Sequence, residues 1–192
     1  MPGKNYTALF EIAADQYGYV TTRDAKALNI PAKRVAEMAE AGLLERVAHG
    51  TYRFLAFPVS KLDQYKEATL WPNGAGGVLS HATALDLHEL CDVNSEKIHL
   101  TVPQGFRTNS KRPQPKVYRI HHRDLTDADQ MLHDGIPIVT PFRAILDGLE
   151  VNMRSGLILQ AVDTAKRQGL LTPSQLRDVS EAVERNLSQV VI

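Results

Sequence analysis

Residues 18–54, GYVTTRDAKALNIPAKRVAEMAEAGLLERVAHGTYRF, decide the fold of the amino-terminal third of the chain. Thr21-Thr22-Arg23-Asp24 has the form of a capping box, in which a hydroxyl and a carboxylate three residues apart satisfy the free amides of a helix start. The helix it opens is short, because Asn29 and Pro31 closely follow Leu28. Pro31 suits the first turn of a second helix, where its missing N–H costs nothing. In that helix Val35, Met38 and Ala39 form an inward stripe, and Gly42 is the stop. Two β-prone runs follow, joined at His49-Gly50. With this pair as the turn, Ala48 faces Thr51, Val47 faces Tyr52, and Arg46 faces Arg53. Val47 and Tyr52 then pack inward and leave two opposed arginines outside, a repulsion that a bound phosphate would reverse. Upstream, Tyr6, Leu9, Phe10 and Ala13 have the spacing of an amphipathic helix that ends before Gly18. The whole order predicts a winged helix-turn-helix over residues 1–57.

Such a fold presents the amino-terminal end of its third helix to DNA base edges. The inward stripe turns Lys33, Glu37 and Glu40 outward, with Arg34 and Ala36 at the margins. Arg34 is suited to guanine, and Ala36 to a thymine methyl. Glu37 faces a polyanion unless it accepts from cytosine or pairs with Lys33. Thr22 and Arg23 at the start of the preceding helix, with Arg46, His49, Thr51 and Arg53 in the wing, complete the DNA-binding set. The competing readings are a solvated face with an i,i+4 Lys–Glu pair, and a winged helix used for protein contacts.

The 192-residue chain as a whole is ordinary in composition, with 43% apolar residues, 23% charged residues and zero net charge. Its opening, MPGKNYTALFEIAADQ, lacks the apolar run of a signal peptide, and no later run suits a bilayer. A lone cysteine, Cys91, fits a reducing compartment. Together these predict a cytoplasmic protein with no membrane partner. Charge is unevenly spread: residues 105–123 hold six Lys/Arg and no Asp/Glu, whereas 124–192 hold six against ten. Arg107, Lys111, Arg112, Lys116 and Arg119 in this stretch are candidates for a second DNA contact or a protein contact. Internal offset by the acidic carboxy-terminal segment is the third reading.

Phe57-Pro58 and the glycine-rich loop around Gly74, Gly76 and Gly77 divide the sequence into residues 1–57, a linker helix and loop over 58–75, and a mixed α/β domain over 76–192. The class is therefore α+β. Ser80 is a candidate cap for a helix burying Ala84, Leu87 and Leu90. Strands are predicted at Ile98–Val102, Val117–Ile120 and Ile136–Val139. Thr140-Pro141 opens a helix with Phe142, Ile145, Leu146 and Leu149 on one face. Helices at 156–167 and 173–186 follow, the first docking through Leu157, Leu159, Ala161 and Val162. His81 and His88, with Cys91 and His99 downstream, make a conceivable metal constellation, but lack the short paired spacing of common ligand motifs. Capping and packing explain them more simply. The sequence has no G-x-S-x-G, no phosphate-cradling G-x-x-x-x-G-K-[ST], and no Gly-Ser loop with paired acids. The expectation is a protein with no catalytic residues, metal or cofactor.

The stretch 18–54, together with SHATALDLHEL (80–90), KIHLTVP (97–103) and GIPIVTPFRAILDGL (135–149), resembles the AbiEi-type antitoxins of type IV toxin–antitoxin systems. The resemblance runs from about Tyr6 to Leu149. It implies a winged-helix domain that binds and represses the chain's own promoter as double-stranded DNA, and a carboxy-terminal domain needed for antitoxin action. It also implies a cognate nucleotidyltransferase-like toxin as functional partner. Enzyme-like action of the carboxy-terminal half and a stand-alone transcription factor are the alternatives from other classes.

Overall fold

The computed structural model describes residues 3–72, 74–108 and 114–190. The chain forms two compact units. The first comprises Met1–Gly77, Gly105–Gln114 and Asp134–Ile136, and the second Val78–Gln104, Pro115–His133 and Pro137–Ile192.

In the first unit, helix α1 (Lys4–Ala14) is followed by strand β1 (Tyr19–Thr21), helices α2 (Thr22–Ala27) and α3 (Ala32–Glu40), strands β2 (Leu44–Ala48) and β3 (Thr51–Phe54), and helix α4 (Asp63–Leu70). The strands make an antiparallel sheet in the order β1-β3-β2. This is the order of a winged helix-turn-helix. Local chemistry explains most of it. The Thr21 hydroxyl accepts from the Asp24 amide at 3.2 Å, and the Asp24 carboxylate accepts from the Thr21 amide at 2.8 Å. Pro31 is the residue before α3, one position earlier than its sequence suggests, and it loses no hydrogen bond there either. Leu9, Val20, Ala25, Val35, Met38, Tyr52 and Phe54 form the core, with Tyr6 and Phe10 packed edge-on to Phe54. Gly18 is obligatory: its φ is +84°, and a Cβ there would stand 2.7 Å from that of Phe57.

The wing departs from a simple hairpin. Ala48 faces Thr51, but Arg46 faces Tyr52 and Glu45 faces Arg53, because the register shifts between Arg46 and Ala48. Val47 is the extra residue of this bulge, and an extra residue moves every later side chain by one position. The two arginines are therefore not opposed. Helix α4, read from sequence as part of a linker, belongs to the first unit.

The second unit begins with strand β4 (Val78–Leu79) and helix α5 (His81–Leu87). Strands β5 (Ile98–Val102) and β6 (Tyr118–His122), a 3-10 turn (Asp127–Asp129), and strands β7 (Gln130–His133) and β8 (Ile136–Val139) follow. Helices α6 (Pro141–Glu150), α7 (Ser155–Arg167) and α8 (Pro173–Val190) close the chain. The sheet order is β6-β5-β4-β8-β7; β4 is antiparallel to β5 and parallel to β8, and β5 is parallel to β6. β4 and β7 have no counterpart in the sequence reading: two residues are too few to show a period, and exposed Met131 and Leu132 break the alternation of β7. Thr140 caps α6, accepting from the Arg143 amide at 3.3 Å. In α7 the buried positions are Ile158, Ala161, Thr164 and Ala165, whereas Leu159 is 51% exposed, contrary to the face assigned from sequence. Gly148 sets this packing, since a Cβ there would meet Ile158 Cδ1 at 2.7 Å.

Candidate functional site

The start of α3 exposes two cations, Lys33 and Arg34. Val35 and Met38 are buried, so the helical period turns the Lys33 and Arg34 side chains to solvent at 88% and 60% exposure. Glu37 binds both: its carboxylate accepts from Arg34 at 2.8 Å and lies 4.0 Å from Lys33. Sequence reasoning paired Glu37 with Lys33 alone; the i,i+3 partner Arg34 is nearer. In the wing, Arg46 and His49 are exposed. Arg23 is exposed and donates to the Gly74 carbonyl at 3.0 Å, which ties α2 to the loop after α4. Thr22 is half-buried.

Two members of the sequence-derived set do not face solvent. Thr51 is buried, paired across the sheet with Thr21 and Ala48. Arg53 is buried too, and its Nη2 donates to Asp63 at 3.1 Å, to the Pro58 carbonyl at 2.9 Å and to the Phe57 carbonyl at 3.2 Å. Its guanidinium also lies over the Tyr19 ring, 5.8 Å from the centroid. Arg53 therefore fastens α4 to the sheet and is not a wing phosphate contact. Arg53 lies on the face of β3 opposite Tyr52, as the sequence placed it, but α4 covers that face through Asp63.

In the basic stretch, Arg107, Lys116 and Arg119 are exposed, and Arg107 donates to the Phe106 carbonyl at 2.9 Å. Arg107 lies in the first unit, whereas Lys116 and Arg119 lie in the second. Lys111 and Arg112 lie outside the described residues. Arg123 at the end of the stretch is held by Glu150, an instance of internal offset by the acidic segment.

The second unit contains a group that sequence reasoning did not assemble. His81, His99 and His121 each present one ring nitrogen, all within 4.8 Å of one another. His88, weighed from sequence beside His81, instead bonds the Val139 carbonyl at 2.8 Å and faces His133. His99 and His121 share one face of the sheet, because β5 and β6 pair His99 with Arg119 and Thr101 with His121. His81 opens α5 with a left-handed φ of +51°, a conformation non-glycine residues adopt only where surroundings hold it. Ser80 does not cap α5 through its side chain; it meets His81 Nδ1 at 2.9 Å and accepts from Thr101 at 2.8 Å. His81 Nδ1 also lies 3.6 Å from Asp147 Oδ2, and Arg143 donates to Asp147 Oδ1 at 2.8 Å. Burial, followed by the neighbouring histidines, pushes the His81 pKa down to about 2. Burial and nearby Arg119 push His99 down to about 4, and burial with His99 does the same for His121. All three are neutral imidazoles at pH 7. Ser80 and Asp147 meet the same nitrogen of His81, so they do not form a nucleophile–base–acid relay, which needs opposite ring nitrogens. The paired alternation in IHLTV and YRIHH was the available signal, but it becomes readable only once β5 and β6 are known to pair.

Comparison with known proteins places the first unit in context. Residues 8–55 match the family described as "Transcriptional regulator, AbiEi antitoxin". The matched segment runs from within α1 through β3 and so takes in most of the winged helix-turn-helix. The crystal structure of the RV2827C protein from Mycobacterium tuberculosis is similar at a TM-score of 0.56 and 14% identity, over 98% of this chain and 76% of that one. At that identity the likeness is one of fold. No curated protein matches the chain. No helix among the described residues is long and apolar enough to cross a membrane.

Proposed function

We propose that this chain is a cytoplasmic antitoxin and autoregulator of the type IV class: it represses its own promoter and counters a nucleotidyltransferase-like toxin, with no catalytic step of its own. The observation that supports this most is the coincidence of the AbiEi match over residues 8–55 with the winged helix, whose α3 exposes Lys33 and Arg34. In this reading α3 enters the major groove, Arg34 leaves Glu37 to donate to a guanine edge, and Lys33, Arg46 and His49 hold phosphates. Glu37 keeps the two cations extended toward solvent when no DNA is bound. The second unit carries antitoxin action, and its basic residues Lys116 and Arg119 are available to DNA or to an acidic toxin surface.

The test pairs promoter binding with rescue in cells. The full chain should bind the DNA upstream of its own gene, and co-expression should relieve growth arrest by the toxin encoded beside it. Joint loss of Lys33, Arg34 and Arg46 should abolish binding while rescue from a foreign promoter persists. Operator binding that survives this triple substitution at physiological salt overturns the assignment of the interface. Absence of rescue by the wild-type chain overturns the antitoxin role.

A further inference from the structure

We propose that His81, His99 and His121 bind one divalent transition-metal ion of the zinc class, leaving a fourth coordination position for water or an anionic ligand. This inference does not rest on the regulatory reading. His99 Nδ1 and His121 Nε2 stand 3.1 Å apart. Two nitrogens on a tetrahedral zinc, each at about 2.0–2.1 Å, are separated by about 3.3–3.4 Å, so a small outward adjustment admits the ion. The third nitrogen comes from His81, whose ring stacks on His121 at a centroid distance of 3.5 Å. No cysteine or carboxylate joins the group among the described residues. Three imidazoles with one position left over are the donor set of open zinc sites.

The surroundings of His81 match what a ligating histidine needs. A metal-bound imidazole is oriented through its other nitrogen by a carboxylate or carbonyl. Here Nδ1 faces Ser80 Oγ and Asp147 Oδ2, which leaves Nε2 for the ion. Asp147 is 1% exposed, and its Oδ2 has no hydrogen-bond partner, although Oδ1 is held by Arg143. A buried carboxylate oxygen without a donor is costly. Metal binding fixes the proton on Nδ1, and a slight rotation of the ring carries that proton to Oδ2. The backbone is fixed on the same side: the Ser80 amide donates to the His99 carbonyl at 3.1 Å, and the His99 amide donates to Thr83 Oγ1 at 2.8 Å. The start of α5 is thereby pinned to β5, and the left-handed His81 is held in place. The depressed pKa values noted above leave all three rings unprotonated at neutral pH, the form that ligates.

The experiment uses the full chain, stripped with a chelator and titrated with Zn²⁺ by calorimetry and with Co²⁺ by absorption. One ion per chain, a tetrahedral Co²⁺ spectrum and a Tm that rises with Zn²⁺ are the expected results. His99→Gln and His121→Gln, half-buried positions where the amide fits, should weaken binding at least about tenfold. His49→Gln and His133→Gln should leave it unchanged. Imidazole nitrogen resonances of the wild-type chain give a readout that needs no variant: those of His81, His99 and His121 should shift together on adding one equivalent of Zn²⁺. Absence of saturable binding to the wild-type chain overturns the proposal, as does binding that His99→Gln and His121→Gln leave intact or a shift confined to other histidines.

Discussion

Two arginine–carboxylate pairs at helical spacing, Arg34–Glu37 on α3 and Arg143–Asp147 on α6, use the same chemistry to opposite ends. The first is open to solvent on both sides, at 60% and 40% exposure, and the second is enclosed at 11% and 1%. An exposed pair contributes about 0–1 kcal/mol, so a phosphate or base edge easily replaces one partner. An enclosed pair cannot exchange partners, because either group left alone keeps its desolvation cost. Arg53–Asp63 in the first unit belongs with the enclosed kind, although its arginine lies beside the wing. Burial therefore decides which arginines can exchange partners and which are fixed in the architecture.

The largest test of this contrast is Arg143→Ala. It leaves Asp147 buried beside His81 and should cost about 3–5 kcal/mol in urea unfolding. Arg34→Ala should stay within about 0.5 kcal/mol of wild type in the same assay. Equal small losses for both would erase the distinction. Arg53→Ala comes next: it should destabilise the first unit by up to about 3–5 kcal/mol, since Asp63 then lacks its donor. At temperatures where that variant remains folded, operator affinity should hold. A selective loss of affinity with stability intact would return Arg53 to the interface.

Acid should distinguish the units as well. Burial pushes the pKa values of His81, His99 and His121 down to about 2, 4 and 4, below the ordinary histidine value of 6.5. A depressed base contributes stability that is fully present above the unfolded pKa and is lost as pH falls toward the folded one. In chelator, the second unit should therefore weaken from about pH 6.5 down to 4, tracked by its urea midpoint. A midpoint that is flat across this window would mean that these rings are not buried as neutral groups.

Smaller effects are reserved for recognition. Arg34→Ala should cost about 1–3 kcal/mol in operator binding and relax the preference at one base. Glu37→Gln should raise affinity for all DNA modestly, by removing a competing anion and a repulsion, with an effect of about 1 kcal/mol or less. Weaker binding in Glu37→Gln would mean that the carboxylate accepts from a base.

What was legible in the sequence was what is local. The capping box at Thr21, the stripe of Val35 and Met38 and the stop at Gly42 each depend on neighbours within four residues, and each stands where the sequence places it. The winged helix and its exposed Lys33, Arg34, Arg46 and His49 follow from them. The bulge at Val47 escaped because a two-residue turn at His49-Gly50 fits the sequence equally well without it. Arg53 was misplaced, since its true partner Asp63 lies ten residues on, in a helix read as linker. The histidine group escaped for a longer-range reason. Its members come from α5, β5 and β6, and only strand pairing across about twenty residues brings them together. The sequence singled out only the face of Phe142, Ile145, Leu146 and Leu149 on α6, whereas Arg143 and Asp147 are buried as well.

The first unit closes with pieces from far along the chain. Phe106 packs edge-on against Trp71 at 5.5 Å, Lys66 donates to the Gly135 carbonyl at 3.1 Å, and the Tyr17 hydroxyl donates to the Asp134 carbonyl at 2.7 Å. During synthesis α3 and the wing emerge early, and the segment that locks Tyr17 and Lys66 emerges only with Asp134 and Gly135. A nascent chain halted between those points would hold α3 and the wing without these final fastenings of the first unit. Completion of the first unit thus waits on translation of nearly half of the second, and premature termination before residue 134 yields a first unit without these fastenings.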